Sequence, residues 1–257
     1  MTPAALPAAG SLVMRRGSPG SAINITVLLA GLLLLAGAST TLAAPADFER
    51  TYPSRGITHV SISSLNSDIR IVAWEKPSIV VRATTPKPSL IEDTVSGGEL
   101  SIRVKRQLKP VRTDFELLVP SDTSVALDNV IGKIEIKALT GHVRISSIDS
   151  DVKLVGVDSQ SLDVRVTSGD ISFDGDLHSG GSYSFQTMKG DIDVTLPVRT
   201  PFNLNARALT ADINLGAFLS ELTGGSKSSR GVSGNHLTGG PRLNLTTYAG
   251  KIFLHKK

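Results

Sequence analysis

A five-residue pattern recurs through the second half of this chain at intervals of about twenty residues, and no other feature constrains the fold as strongly. In each copy a Gly or another small residue precedes a polar residue, which is followed by an apolar, a polar and an apolar residue. The polar residues stand at positions 133, 151, 170, 191 and 212, and the next, at 251, is 39 residues further on, close to two steps. The copies are residues 132–136, 150–154, 169–173, 190–194, 211–215 and 250–254, and residues 67–71 are an earlier relative.

A second alternating segment lies within the steps, for example at residues 162–166 and 202–206. Strict alternation of apolar and polar residues predicts a strand with one buried face. A two-stranded unit cannot bury that face alone, whereas identical units stacked on one another bury it along a continuous column. The sequence therefore predicts an all-β fold of stacked β-strand repeats, resembling a β-solenoid, with little or no helix.

The alignment of the copies also predicts which side chains stack in the core. The first apolar residue of each copy should belong to one buried column and the second apolar residue to its neighbour. The predicted columns are Ile134, Val152, Ile171, Ile192, Ile213 and Ile252, and beside them Ile136, Leu154, Phe173, Val194, Leu215 and Leu254.

Two parts of the chain depart from this regularity. Residues 47–128 also contain strand patterns, but these are less regular and are separated by prolines, which mark turns and sheet edges. Residues 216–241 contain seven glycines, and we expect a mobile Gly/Ser-rich loop there with a helical turn near 217–222. We therefore expect one repeat domain over 47–257, with an irregular part at 47–128 and regular repeats at 129–257.

The first 46 residues have the order of a secretory signal peptide. Arg15 and Arg16 precede an uncharged apolar stretch, which leads to small residues and to Ala44-Pro45-Ala46. We expect cleavage after Ala46, or else after Ala43. An uncleaved anchor is the alternative, because the 23 residues 22–44 carry no charge, and a bilayer-spanning helix needs about 20. Either way the sequence predicts an exported protein, in the periplasm or at the cell surface. If the segment is cleaved, we expect no membrane span in the mature protein.

Cysteine content and net charge limit the covalent links, metal sites and partners that this chain can have. The chain has no cysteine, which excludes disulfides, a lipid-modified cysteine and thiolate metal sites. Its net charge of +4 falls to +2 once Arg15 and Arg16 are removed. We find no Lys/Arg run and no interleaved aromatic residues, so nucleic acid is not an expected partner.

The recurring Gly-Asp-Ile corners, together with residues 180–185 and 243–252, resemble a bacterial family of exported β-strand-repeat proteins that are labelled putative adhesins. The resemblance covers most of the chain after residue 46, and it implies the same fold and the same export. Members of that family have no established function and no known catalytic residues, so no site residue carries over. Lys251 departs from the family, which usually has Asp at the last corner.

The sequence offers no recognisable catalytic constellation. Its histidines show no metal-ligand spacing, no Gly-x-Ser-x-Gly stands before a helix, and no Gly-Gly pair continues into a phosphate-binding loop. We therefore predict no catalytic, cofactor-binding or metal-binding residue and no cofactor, and we interpret His236 as an exposed loop residue. The five histidines are His59, His142, His178, His236 and His255.

The corner aspartates are the sharpest chemical feature. If the repeats stack, Asp151, Asp170, Asp191 and Asp212 form a column with about 4.8 Å between neighbours, and like charges at that distance repel. Bound calcium would relieve the repulsion. We favour the other interpretation, in which each Asp accepts a hydrogen bond from the backbone N–H two residues on in its own turn, because lysines take the same position at residues 133 and 251.

These features predict a non-enzymatic role in binding, adhesion or envelope scaffolding, with an envelope protein or a glycan as partner. A solenoid presents long regular faces that suit extended partners. The alternatives are a polysaccharide-acting enzyme on a β-helix and an accessory protein of envelope-stress sensing. A groove lined with acids would favour the enzyme, and a flat polar face would favour binding.

The mature protein should begin near Asp47 and be recovered from cells without detergent, because signal peptidase removes the segment before it. N-terminal sequencing of the purified protein checks this. Retention of residues 22–44 would show an anchored protein instead.

Overall fold

The computed structural model describes residues 47–257, whose regular structure is almost entirely β-strand. Within this part of the chain one short helix, α1, spans Phe218–Glu221, and a 3-10 turn spans Pro88–Leu90. None of its helices is long and apolar enough to cross a bilayer. The strands, in chain order, are β1 (Phe48–Pro53), β2 (His59–Ser63), β3 (Ile69–Trp74), β4 (Ser78–Thr84), β5 (Ile91–Ser96), β6 (Glu99–Val104), β7 (Asp114–Pro120), β8 (Ser124–Lys137), β9 (Val143–Val157), β10 (Ser161–Ser168), β11 (Ile171–Gly175), β12 (Ser182–Lys189), β13 (Ile192–Leu196), β14 (Phe202–Ala208), β15 (Ile213–Asn214), β16 (Leu222–Thr223), β17 (Lys227–Ser228), β18 (Gly231–His236), β19 (Arg242–Ala249) and β20 (Ile252–Lys256).

Two ladders of parallel strands make up the body of the domain. The first sheet contains, in spatial order, β6, β2, the first half of β8, the first half of β9, β10, β12, β19 and β14. The second sheet contains β7, β3, the second halves of β8 and β9, β11, β13, β20 and β15. Each rung is one strand of each sheet joined by a sharp corner. The eight rungs form the all-β, solenoid-like stack that the repeats predict.

The predicted core columns are confirmed. Pairing between neighbouring strands places the first column in the spatial order Ile134, Val152, Ile171, Ile192, Ile252 and Ile213. All of these are buried except Ile213, which is half-buried on the outermost rung. In the second column the ring of Phe173 lies 5.4 Å from the ring of Phe185, which belongs to the first sheet. The two sheets therefore face each other across one apolar core.

Spatial order and chain order differ at both ends of the stack. The rung β6/β7 follows β2/β3 in the chain but lies outside it. The rung β14/β15 precedes β19/β20 in the chain but lies outside it, so β20 is inserted between β13 and β15. At the first end the chain forms the inner rung and then the outer one. At the far end it forms the outer rung first and fills the inner position later.

Antiparallel strands close both ends of the stack, and β1, β4 and β5 close the end formed by β6 and β7. β4 pairs with β7 and β1 with β4, while β5 pairs with β6. At this end Tyr52 in β1 donates a 2.7 Å hydrogen bond to Asp93 in β5, which also pairs with Arg50. The Asp93 bond and partial burial raise the pKa of Tyr52 to about 12, burial being the larger cause. Residues 47–128 therefore supply two full rungs and a cap, which is more regular β-structure than their sequence predicts.

The glycine-rich segment 216–241 is not the loop that its composition predicts. It contains the helical turn α1, as expected, but also β16, β17 and the six-residue strand β18, which pairs antiparallel with β14. A Cβ atom on Gly225 would lie 2.4 Å from the carbonyl oxygen of Ser233, and one on Gly234 would lie 3.0 Å from that of Gly224. The glycines here permit close packing of backbones in a cap over the last rung.

Glycines at the corners allow successive rungs to approach closely. Gly169 has φ +129° and Gly190 has φ +145°, values that side chains disfavour. A Cβ atom on Gly169 would lie 2.1 Å from the carbonyl oxygen of Ser150 in the neighbouring rung, and one on Gly250 would lie 1.8 Å from that of Gly190. Any side chain at these positions would push two rungs apart.

Replacing Gly169 with Ala should lower the free energy of unfolding by about 3–5 kcal/mol, because backbone strain adds to a clash with a fixed neighbouring backbone. Gly156→Ala is the matched control: its φ is +60°, but no atom lies within 4 Å of the added Cβ. It should cost about 1–2 kcal/mol. Chemical denaturation of both variants measures the difference, and equal losses would show that rung spacing does not limit the corner.

Candidate interaction surface

The corner edge is the edge of the solenoid at which each rung turns from the first sheet into the second. All six copies of the sequence pattern, and the earlier relative at residues 67–71, place their small and polar residues there. From one end of the stack to the other the corner pairs are Ser67-Asp68, Gly132-Lys133, Ser150-Asp151, Gly169-Asp170, Gly190-Asp191, Gly250-Lys251 and Ala211-Asp212.

The corner aspartates bond to the next rung, so the predicted donor two residues on in the same turn is wrong. Oδ1 of Asp170 accepts a 2.7 Å bond from the backbone N–H of Asp191, and Oδ1 of Asp151 accepts a 3.1 Å bond from that of Asp170. The same bond joins Asp191 to Lys251 and Asp68 to Lys133, each over about one rung. The close approach of the corners brings the next N–H within reach before the local one.

Lysines interrupt this ladder where it would accumulate charge. Lys133 and Lys251 donate their backbone N–H groups to the ladder, but their side chains cannot accept the following one. The runs of aspartate are thereby limited to short groups separated by a cation. In residues 47–257 no group of three or more His, Cys, Asp or Glu side chains has the arrangement of a metal site.

Buried hydroxyl and amide groups line the inside of the corners. Thr187 donates a 3.1 Å bond to the carbonyl oxygen of Gly169, and Thr247 donates a 3.0 Å bond to that of Gly190. Asn129 donates in the same way to Ser67 and Ile131. These bonds satisfy carbonyl groups that the turn takes out of the ladder, so the corner edge is rigid.

A row of side chains, the corner stripe, runs along this edge, and four of its six members are exposed apolar residues. Strand register places them side by side in the order Val130, Ile148, Thr167, Met188, Tyr248 and Leu209. Ile148, Met188 and Tyr248 are 56%, 56% and 53% exposed. Each residue of the row stands three positions before the polar corner residue, a regularity that was readable in the sequence. Exposed apolar side chains gathered along one edge of a surface mark an interaction site.

A cationic segment lies at one end of the same edge. Residues 100–113 contain five lysines or arginines and no carboxylate, which the expectation of no cationic run overlooked. Between this segment and the stripe lies a groove of about 690 Å³ that is lined by Arg103, Arg106, Leu65, Val130 and Ile148. Asp128 is the one carboxylate of its lining.

A shallow hollow of about 400 Å³ lies on the outer face of the first sheet. Its two carboxylates, Glu99 and Asp163, are in β6 and β10, four rungs and therefore about 19 Å apart. Paired catalytic carboxylates of glycosidases are about 5–10 Å apart. Asp163 instead lies 3.0 Å from Arg165 and 3.7 Å from Arg144. The hollow therefore lacks the spacing of a glycosidase site.

His236 is fully buried, which corrects its interpretation as an exposed loop residue. Its Nδ1 lies 2.7 Å from the carbonyl oxygen of Thr200, and its Nε2 lies 2.9 Å from a carboxylate oxygen of Glu221. The ring stacks on Phe202 at 4.9 Å and meets Phe218 edge to face. Both ring nitrogens therefore have a hydrogen-bonding partner within the domain.

Glu221 is shared between His236 and Lys256, whose Nζ lies 2.6 Å from its other oxygen. Hydrogen bonds from Lys256, first, and from His236 lower the pKa of Glu221. His236, Glu221 and Lys256 link β18, α1 and β20. Both carboxylate oxygens of Glu221 are engaged, one by His236 and the other by Lys256. The cluster therefore fastens the cap to the last rungs and presents no free base to a substrate.

The remaining predicted histidines are not brought together into one site. His59 and His142 share the hollow on the first sheet. His178 pairs with Asp158, and His255 lies 3.5 Å from Asp193. Each of these contacts involves a single exposed carboxylate.

Stacked rungs, corner aspartates and an exposed apolar edge define this chain as a β-solenoid repeat protein. A family model described as Toastrack DUF4097 matches residues 123–254, from just before β8 into β20. The chain belongs to this family, whose repeats were anticipated from the corner pattern. No curated protein matches it.

Solved structures from several bacteria are similar to this chain. A putative cell adhesion protein from Clostridium sporogenes is 12% identical, with a TM-score of 0.52 over 82% of this chain and 99% of that one. A putative adhesin from Bacteroides fragilis is 13% identical, with a TM-score of 0.43 over 80% and 96%. A putative lipid binding protein from Parabacteroides distasonis is 12% identical, with a TM-score of 0.33 over 82% and 94%. At such identities the first of these shows a shared fold and nothing more.

Asp170→Ala should lower the free energy of unfolding by about 0.5–1.5 kcal/mol, because the N–H of Asp191 loses its acceptor. Asp170→Asn should cost less, since the amide oxygen still accepts. Asp176→Ala, on an exposed turn away from the corner edge, is the control and should be neutral within about 0.5 kcal/mol.

Thermal unfolding of these variants with calcium or with a chelator completes the test. The corner bonds need no ion, so the melting temperature should not depend on calcium. A large rise with calcium that Asp170→Asn blunts would show that the carboxylates bind the ion.

Proposed function

We propose that this chain is an exported, non-enzymatic binding protein of the cell envelope, an adhesin or a scaffold, which engages its partner through the corner edge. The observation that carries the proposal is the corner stripe. Export follows from the signal-like order of the first 46 residues.

The stripe has the properties of a surface built for contact. Its side chains repeat once per rung, about 4.8 Å apart, so an extended partner would meet an apolar side chain at every step except that of Thr167. The backbone beneath is held by the aspartate ladder and by buried hydroxyls such as Thr187 and Thr247. A rigid surface loses little conformational entropy on binding.

The distribution of charged groups favours binding over catalysis. Catalysis needs a nucleophile or base and a stabilising group that converge on one point. In the described chain the hollow separates its carboxylates by four rungs, and the His236 cluster is closed in on itself. The groove beside the stripe combines arginine and apolar side chains with a single aspartate, a lining that suits retention of a ligand.

The proposal is tested by binding of the purified mature protein to isolated cell envelopes, measured by co-sedimentation. A variant carrying Ile148→Ser, Met188→Ser and Tyr248→Ser should bind at least about tenfold more weakly, since each large apolar side chain contributes about 1.5–3 kcal/mol when fully buried. Melting temperatures of the variants establish that the fold is retained.

The matched control carries Val95→Ser and Val198→Ser, which are similarly exposed but lie away from the corner edge. It should bind like the parent protein. Equal weakening in both variants would contradict the assignment of the surface, and release of sugar fragments from envelope polysaccharide by the parent protein would favour an enzyme.

A further inference from the structure

The corner edge ends in a tip whose charge and exposure differ from the rest of the molecule. The loop between β6 and β7 holds nine residues, 105–113, whereas no other corner holds more than five and three hold two, such as Gly169 and Asp170. It belongs to the outermost full rung, and Thr113 bonds to the adjacent β4–β5 loop through Thr85 at 3.1 Å. The two loops therefore form one projecting tip at the end of the corner edge.

Three of the five cations at this tip are not paired with a carboxylate of the protein. Lys105 pairs with Glu92, and Arg112 pairs with Asp68 and Asp114 at the base of the loop. Lys87, Arg106 and Lys109 have no carboxylate within 4 Å anywhere in residues 47–257. All three lie in exposed segments without acidic residues, so the tip presents a positive surface to solvent.

Between these cations lies the most exposed large apolar side chain of the described residues. Leu108 has a relative exposure of 105%, so it packs against nothing in the domain. Pro86, Pro88 and Pro110 lie in the same two loops and restrict the backbone near it. A leucine held out among lysines and arginines fits a partner that offers negative charge at its surface and hydrocarbon below.

We propose that the basic tip, formed by Lys87, Arg106, Leu108 and Lys109, docks the protein on the surface of an anionic lipid bilayer. Each cation gains from the negative surface potential, and Leu108 enters the boundary between headgroups and acyl chains. An anionic polymer would bind the cations but would leave Leu108 in water, which is why the bilayer is favoured.

Contact with an anionic bilayer is confined to the tip and the groove beside it, because the rest of the corner edge carries aspartates such as Asp151 and Asp170. Val130 and Ile148, which line that groove, adjoin the tip. This inference rests on the proposed binding function, because it names the partner of the corner edge.

Co-sedimentation with lipid vesicles tests the inference. The mature protein is mixed with vesicles of phosphatidylcholine alone or of phosphatidylcholine with phosphatidylglycerol, at low and at high salt. We expect binding only to the vesicles that contain phosphatidylglycerol, with weakening as salt screens the charges. Arg106→Gln with Lys109→Gln should weaken binding about 25-fold, roughly fivefold for each cation. Leu108→Ser should weaken it several-fold with the charge unchanged.

Arg55→Gln with Arg199→Gln removes the same charge from exposed turns at the opposite edge, and it should leave binding unchanged. Equal binding to both kinds of vesicle, or equal losses in the two double variants, would overturn the inference. Binding to soluble polyglutamate as tight as to vesicles, with no effect of Leu108→Ser, would assign the tip to an anionic polymer and overturn it as well.

The test separates this inference from the function on which it rests. If the parent protein ignores vesicles but still binds envelopes in a way that depends on Ile148, Met188 and Tyr248, only the lipid assignment fails. If it binds neither, both fail. The wild-type salt dependence needs no variant, so the outcome does not rely on any variant folding.

Discussion

Parallel rungs can stack in register only where their corners let two backbones come almost into contact. In this chain four of the seven corners make the contact with glycines that no larger residue can replace without moving a rung, and Ser or Ala stands at the other three. The same closeness brings each corner N–H to the carboxylate of the rung before it, and it allows threonine hydroxyls to reach the corner carbonyls from inside. The two apolar columns, the straight corner edge and the surface row of apolar side chains all inherit their spacing from this contact.

The fold was predictable because two periods in the sequence agree. Alternation fixed the buried face of each strand, and the twenty-residue repeat fixed which strands stack, so columns such as Ile171 beside Ile192 followed. The order of the rungs was not predictable from the same pattern. The pattern would equally allow the copy at Gly250 to follow Ala211 at the end of the stack, whereas β20 lies between β13 and β15.

The surface chemistry was harder to predict, for reasons that differ between residues. Asp170 has a local N–H and a distant N–H within the reach of its side chain, and sequence alone does not show that the next rung is nearer. His236 stands in a glycine-rich stretch, and glycine usually indicates a loop. Its burial against Phe202 depends on the pairing of β18 with β14, which the sequence pattern did not predict. The corner stripe was visible at a fixed offset from each corner, but exposed apolar residues become meaningful only when they are adjacent in space.

The internal position of β20 has a consequence for how the molecule can be assembled in time. A solenoid that climbs steadily can add rungs one after another as its chain emerges. Here β14 finds its parallel neighbour only when β19 has arrived, and β13 and β15 remain apart until β20 has filled the gap between them. The second sheet is complete at the far end only when β20, the last strand, has paired with both β13 and β15. A chain cut short before β20 would therefore keep a vacant row inside its sheet rather than become a shorter solenoid.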